Sequence, residues 1–214
     1  AVLWFFRKEW VALIKAAGSL IRKRRAETVE EKRVIFLIIA TIPGAIGGLV
    51  LEDKADTVFR APLLTACALI AMGILLWAAD RFSAQSREIG RMRWVHALLI
   101  GSAQVVALIP GVSRSGSTIT MARVLRFDRQ SAAVFSFLMS MPITAAAIVL
   151  KVPDVIADGN LQAQLIVGVL AAGISSWLAI SVLLRYVSRH SYGIFAAYRL
   201  IVGGIVLAII YWRG

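Results

Sequence analysis

Between Gln104 and Thr118 the chain reads Gln-Val-Val-Ala-Leu-Ile-Pro-Gly-Val-Ser-Arg-Ser-Gly-Ser-Thr, and these residue types in this order could do chemistry. Pro110 and Gly111 break one short apolar run, and Gly116 frees the backbone where the next begins. Four hydroxyls (Ser113, Ser115, Ser117 and Thr118) and Arg114 fall within six residues. Backbone N–H groups at a helix N-terminus, the helix dipole, hydroxyl donors and a forked guanidinium together make a cradle for phosphate. The Gly-x4-Gly-Lys-Ser/Thr spacing of a P-loop is absent. The competing reading is a polar turn whose arginine reaches for lipid headgroups. Turning, however, needs only the proline and glycines, whereas an arginine at membrane depth costs at least ~2.5–3.5 kcal/mol and calls for a partner or a role.

A second intramembrane charge, Arg199, sits in the middle of an apolar run from Gly193 to Ile210. The twelve acidic residues lie in loops or at helix ends, so none faces it from within another run. Either an anionic ligand supplies its counter-charge or backbone carbonyls hold it. His96 and His190 near helix ends read as interfacial, and Ser136, Ser140 and Thr144 share a face suited to joining helices. Pro43-Gly44 reads as a kink. No His/Cys/carboxylate spacing suggests a metal site, and the single Cys67 lies inside an apolar run where no intrachain disulfide is available to it.

The elements that must position these groups follow from composition. Of 214 residues, 59% are hydrophobic and only 17% charged, with a mean hydropathy of +0.80. Soluble domains carry roughly a quarter charged residues, so the departure points to a bilayer. The runs Val34–Leu51, Ala61–Ala79, Ser131–Leu150, Leu161–Leu184 and Gly193–Ile210 each approach the ~20 residues that cross hydrocarbon. The expected architecture is a single all-α polytopic transmembrane domain over residues 1–214. A net charge of +12 raises nucleic acid as a partner, but the basic residues lie between apolar runs and no nucleic-acid-binding motif accompanies them. Arg22-Lys23-Arg24-Arg25 instead reads as a topology determinant beside anionic headgroups. The opening Ala1–Phe6, running straight into Arg7-Lys8, reads as the tail of a spanning helix whose beginning lies upstream.

Charge also sets the topology. Trp94–Ile109 would cover only about 24 Å as a helix, short of the ~30 Å core, so 94–126 is either one broken crossing or a re-entrant hairpin. The hairpin places eighteen lysines and arginines on one side of the membrane against four on the other, and a single crossing places fifteen against seven. The positive-inside bias selects the hairpin, with the richer side cytoplasmic. A faint internal repeat agrees. Pro62–Ala79 aligned with Gly193–Ile210 gives six identities in eighteen, including Leu69/Leu200, Gly73/Gly204 and Ile74/Ile205. Opposite directions for the paired helices make an inverted-topology repeat, whose broken helices meet near the midplane. Residues 1–80 would then be a first half lacking its re-entrant hairpin, and 94–214 a second half whose hairpin is 94–126.

The run Pro110-Gly-Val-Ser-Arg-Ser-Gly-Ser-Thr118 resembles the Pro-Gly-x-Ser-Arg-Ser-x-x-Thr signature of the bacterial undecaprenyl-diphosphate phosphatases, the bacitracin-resistance membrane enzymes. Gln104 before it, Phe135-Ser-Phe137 after it and Tyr198-Arg199 in the last run agree with the same family. The resemblance covers the whole chain. It implies inverted repeats with two re-entrant hairpins in the bacterial plasma (inner) membrane. It also implies hydrolysis of undecaprenyl diphosphate to undecaprenyl phosphate and inorganic phosphate, which recycles the carrier lipid for peptidoglycan synthesis. By that resemblance Arg114, Ser113 and Thr118 are the catalytic candidates. Gly111, Ser115, Gly116, Ser117 and Arg199 are the substrate-binding ones. A divalent cation, Mg²⁺ or Ca²⁺, is implied as cofactor, a polyprenyl diphosphate lipid as substrate, and a homodimer is the one protein assembly considered.

One departure qualifies this. The family's acidic Glu-x-x-x-Glu stretch, followed by Pro, Ser and His, has no match here, and Gln104 and Leu108 occupy the repeat-equivalent spacing. The acid/base, nucleophilic and metal-binding groups are therefore expected upstream of Ala1. A lipid-phosphate transporter or flippase is the alternative, because inverted repeats, broken helices and a midplane anion site describe transporters equally well.

Overall fold

The computed structural model describes residues 1–56, 61–157 and 163–213; Arg60 and the start of the Leu161 run lie outside them. The described residues form α-helices and one 3₁₀ turn, Ile89–Arg91. In order the helices are α1 (Val2–Phe5), α2 (Arg7–Lys23), α3 (Val29–Asp56), α4 (Pro62–Phe82), α5 (Trp94–Val106), α6 (Arg114–Val124), α7 (Arg129–Ala157), α8 (Ala163–Val187) and α9 (Gly193–Arg213). The stretches Val29–Leu51, Pro62–Phe82, Val167–Val187 and Gly193–Trp212 are long and apolar enough to cross a bilayer. The expectation of an all-helical polytopic membrane protein holds.

α2 occupies a charged stretch ahead of the first long apolar run, where run length alone signals no helix. Phe6 turns the chain out of α1, and Leu13 and Ala16 of α2 are buried. Arg24 closes α2 in the left-handed region (φ 54°), its N–H donating to the Leu20 carbonyl at 2.8 Å. Four residues later Thr28 and Glu31 start α3 with a reciprocal cap. The Thr28 Oγ1 accepts from the Glu31 N–H at 3.1 Å, and Glu31 Oε2 accepts from the Thr28 N–H at 2.9 Å. The Ser19 hydroxyl donates to Glu31 Oε1 at 2.8 Å, tying α2 to the same cap.

Small residues let the long helices approach. A Cβ built on Gly101 of α5 would stand 2.3 Å from the Ala40 carbonyl oxygen of α3, so these backbones touch only because position 101 has no side chain. Among the described residues α4 packs on α9 more extensively than any other pair of helices. There a Cβ at Gly203 would meet Ile70 at 2.6 Å. The core gathers Phe6, Leu37, Ala40, Ile100, Phe127, Phe135, Leu138 and Met139 where α3, α5 and α7 meet. Val167, Leu170, Ile174 and Val182 of α8 are exposed, as suits a helix face turned toward lipid.

α5 and α6 form a helical hairpin whose entry and exit lie side by side. The Ser86 and Arg87 N–H groups donate to the Arg126 carbonyl at 3.1 and 3.0 Å, and the Asp128 N–H donates to the Arg87 carbonyl at 2.9 Å. His96, expected at an interface, is buried at this foot. Its Nδ1 accepts from the Arg93 N–H at 3.2 Å and its ring packs edge-on against Phe127.

Candidate functional site

The tip of the α5–α6 hairpin carries the signature residues. The α5 helix loosens after Gln104 through 3₁₀-type hydrogen bonds from Ala107, Leu108 and Ile109 to carbonyls three residues back. Gly111 then adopts φ +94°, and a Cβ there would lie 2.3 Å from the Thr65 carbonyl oxygen, so conformation and space both demand glycine. Ser113 takes φ +66° without being glycine, a strained geometry of the kind that persists where surrounding structure enforces it. That turn aims Ser113 as the cap of α6, its Oγ accepting from the Gly116 N–H at 3.3 Å.

Arg114 is the first residue of α6. Among the described residues its guanidinium has no hydrogen-bond partner, and it is exposed to a cavity of about 480 Å³. Ser113, Ser115, Ser136, Ser140 and Ser176 give that cavity its hydroxyls, while Phe137, Ile180 and Leu183 give it an apolar wall. Ser136 and Ser140, read from sequence as helix-joining residues, thus also face the Arg114 cavity. Thr144 is exposed, with its hydroxyl on the Ser140 carbonyl at 2.8 Å.

The remaining signature hydroxyls are placed differently. Ser117 and Thr118 are buried, and each donates to the Arg114 carbonyl, at 3.0 and 2.9 Å. The Thr118 Oγ1 also lies 2.7 Å from Ser136 Oγ, which joins α6 to α7 beneath the cavity. Both therefore fix the turn that presents Arg114 and do not line the opening. Arg199 comes to the same tip from α9. Its Nη1 donates to the Val112 carbonyl at 2.9 Å, and a Cβ on Gly116 would stand 2.5 Å from its Nη2. Arg199 thus bonds a backbone carbonyl of the turn that carries the signature residues.

Gln104 is 5% exposed, and neither its Oε1 nor its Nε2 has a hydrogen-bond partner among the described residues. Asp80 and Arg123 escaped the sequence reading as a pair. Arg123 is fully buried, and its Nε lies 2.9 Å from Asp80 Oδ1. Forty-three residues separate the two, so no local spacing signalled them.

The donor set does not fit a divalent cation. Among the described residues no group of three or more His, Cys, Asp or Glu side chains converges. A hard cation seeks several oxygen ligands including carboxylates, whereas this cavity offers neutral hydroxyls beside a guanidinium. What the arrangement can do is grip an anion. Two N–H groups of one guanidinium, hydroxyls and the start of α6 can neutralise phosphate oxygens whose charge grows as a bond to phosphorus breaks.

Fold and site together define a polytopic membrane protein with a helical hairpin whose tip turns a guanidinium to a hydroxyl-lined cavity. A family model described as "Bacitracin resistance protein BacA" matches residues 1–205, and the chain belongs to that family. It is 55% identical over 208 residues to the undecaprenyl-diphosphatase of Gemmatimonas aurantiaca, covering 97% of this chain and 78% of that relative. It is 44% identical to the undecaprenyl-diphosphatase of Elusimicrobium minutum over 97% of this chain and 77% of the relative. Against the one from Moorella thermoacetica the figures are 42% identity, 100% and 79%.

Proposed function

We propose that this protein hydrolyses undecaprenyl diphosphate to undecaprenyl phosphate and inorganic phosphate in the bacterial plasma membrane, returning the carrier lipid to peptidoglycan synthesis. The family and the names of its relatives support the reaction, and they do not favour a transporter. The observation that carries the site is Arg114. It stands at the start of α6 on a strained turn, its guanidinium unpaired among the described residues and turned to a cavity lined by both hydroxyls and apolar side chains. An amphiphile with a diphosphate head and a prenyl tail has both characters. Water adds to the terminal phosphorus, the bridging P–O bond breaks, and the bond's electron pair leaves with the lipid monophosphate. Arg114, the Ser113 and Ser115 hydroxyls and the free N–H groups of α6 hold the transferring group and its charge. Thr118 and Ser117 hold the turn from beneath, and Arg199 fixes the Val112 carbonyl beside it.

The rest of the reading belongs to the same proposal. The α5–α6 hairpin is re-entrant, and residues 1–80 and 94–214 are the two halves of an inverted repeat, the second with 94–126 as its hairpin; the matching order and similar lengths of α3/α8 and α4/α9 support this. The activating groups and any divalent cation come from outside the described residues. The orphaned Gln104 amide, buried one turn before the hairpin breaks, supports a further polar group at that depth, since an unmet buried amide costs about 1–3 kcal/mol. A second copy of the chain is the protein partner we envisage. Phosphate release from undecaprenyl diphosphate by the full-length protein in detergent tests the reading. Equal amounts of phosphate and monophosphate lipid are expected, and a substrate that crosses vesicle membranes unchanged would establish a transporter instead.

A further inference from the structure

Asp80, at the end of α4, is 5% exposed, and three separate segments converge on its carboxylate. Arg123 Nε of α6 donates to Oδ1 at 2.9 Å. Arg129 of α7 donates through Nε at 2.8 Å to Oδ1 and through Nη2 at 3.0 Å to Oδ2. The Tyr192 N–H, just before α9, donates to Oδ2 at 3.0 Å. Arg123 spends its remaining donors on backbone. Nη1 reaches the Phe127 carbonyl, and Nη2 reaches those of Asp80 and Ser83 at 3.2 and 3.1 Å. The Tyr192 hydroxyl closes the ring by donating to the Arg129 carbonyl at 2.9 Å.

This arrangement is more than a buried ion pair. Replacing such pairs by apolar residues often leaves stability unchanged or improved, so stability alone explains the four-segment junction poorly. Two of the segments lead directly to the proposed phosphate grip. α6 carries Arg123 at its outer end and Arg114 at its inner end, nine residues or about 13 Å away along one rigid rod. α9 begins beside Tyr192 and carries Arg199 seven residues on, about 10 Å along its axis. Arg199 meets the hairpin tip again at Val112 and Gly116. The junction at Asp80 therefore fixes the height of α6 against α9, and with it the register of Arg114 against Arg199.

We propose that Asp80 is a positioning residue, one that sets the Arg114 phosphate grip against its Arg199 brace from the far end of the hairpin through Arg123 and Tyr192. The proposal rests on the phosphatase reading for the meaning of the grip, but its geometric content does not.

Two measurements on the full-length protein in detergent test it, each on Asp80→Asn and on Arg129→Gln, whose side chain is the more exposed member of the junction. The first is affinity for farnesyl diphosphate, a short prenyl diphosphate, read beside thermal melting without ligand. Asp80→Asn should bind at least tenfold more weakly, and Arg129→Gln about threefold, in protein that still melts cooperatively. Wild-type affinity in variants with lowered melting temperatures would show a purely structural knot and overturn the proposal. The second needs no ligand. Spin labels at Val106 and Tyr211, both exposed, report the distance from hairpin tip to α9 by pulsed electron paramagnetic resonance, with Cys67 replaced by Ser. The distance distribution should broaden in both variants, and an unchanged distribution would overturn the positioning role. If the wild type binds no farnesyl diphosphate, the substrate reading fails, and the distance measurement still decides the role of Asp80.

Discussion

At the scale of single residues, Arg114 and Arg199 have separate duties despite sharing a turn. Arg199 is already engaged with the Val112 carbonyl, whereas the Arg114 guanidinium faces the cavity without a partner among the described residues. A guanidinium offers two parallel N–H donors to two phosphate oxygens, and a lysine ammonium offers a compact point charge. In a site sheltered from water that difference in fit outweighs charge alone. Arg114→Ala should lose nearly all phosphate release, by roughly a hundredfold or more on the scale of removing one transition-state donor, and Arg114→Lys should recover only a small part of it. Arg199→Lys should be milder, since a carbonyl accepts from any nearby cation. Phosphate release in detergent by variants first checked by thermal melting decides this, and near-normal activity in Arg114→Lys would refute the forked grip. Residue identity made this pair legible in the sequence. The Asp80–Arg123 junction was not legible, because its partners are distant in the chain and Arg123 resembles any loop-end cation until α6 is folded back on α4.

At the scale of elements, apolar run length identified α3, α4, α7, α8 and α9, and the Pro-Gly break located the hairpin tip. Both signals are local and strong in a membrane protein, where the backbone must satisfy itself by helix formation. α2 was missed for a physical reason. Its apolar residues Trp10, Leu13, Ala16, Ala17 and Leu20 recur at helical spacing, but Lys8, Lys15 and Arg22 interrupt any continuous run. Amphipathicity, not hydropathy, was the signal to read. The two helices also make opposite uses of glycine. At Gly101 a side chain would collide with α3 backbone, whereas at Gly18 of α2 nothing lies within 4 Å. Gly101→Ala should therefore destabilise the α3–α5 contact by about 1–3 kcal/mol, the usual cost of overpacking. Gly18→Ala should be neutral or stabilising by up to about 1 kcal/mol, from helix propensity alone. Melting of the two variants side by side measures the contrast, and a drop for Gly18→Ala matching that for Gly101→Ala would show that α2 is packed more closely than its surface implies.

At the scale of the whole molecule, the feature that organises everything else is that the chain enters and leaves the α5–α6 hairpin at one place. Hydrogen bonds from Ser86 and Arg87 to the Arg126 carbonyl, returned by Asp128 to Arg87, hold the two connections together. A single broken crossing would separate them by the thickness of the bilayer, about 30 Å. The same geometry brings α4, α6, α7 and α9 to the Asp80 junction, where Arg81, Arg123 and Arg129 gather at one end of these helices. The arrangement of the entire chain can therefore be read from three positions. With Cys67 replaced by Ser, single cysteines at Ser86, Arg126 and Ala61, all exposed, report which side each connection faces to a membrane-impermeant thiol reagent. Ser86→Cys and Arg126→Cys should stay unlabelled in intact bacterial spheroplasts and react once the membrane is opened, while Ala61→Cys should react from outside in both. Labelling of Ser86 and Arg126 from opposite sides would make α5 and α6 one interrupted crossing. It would invert the directions of α7, α8 and α9 and dissolve the inverted repeat, because paired helices would then run the same way.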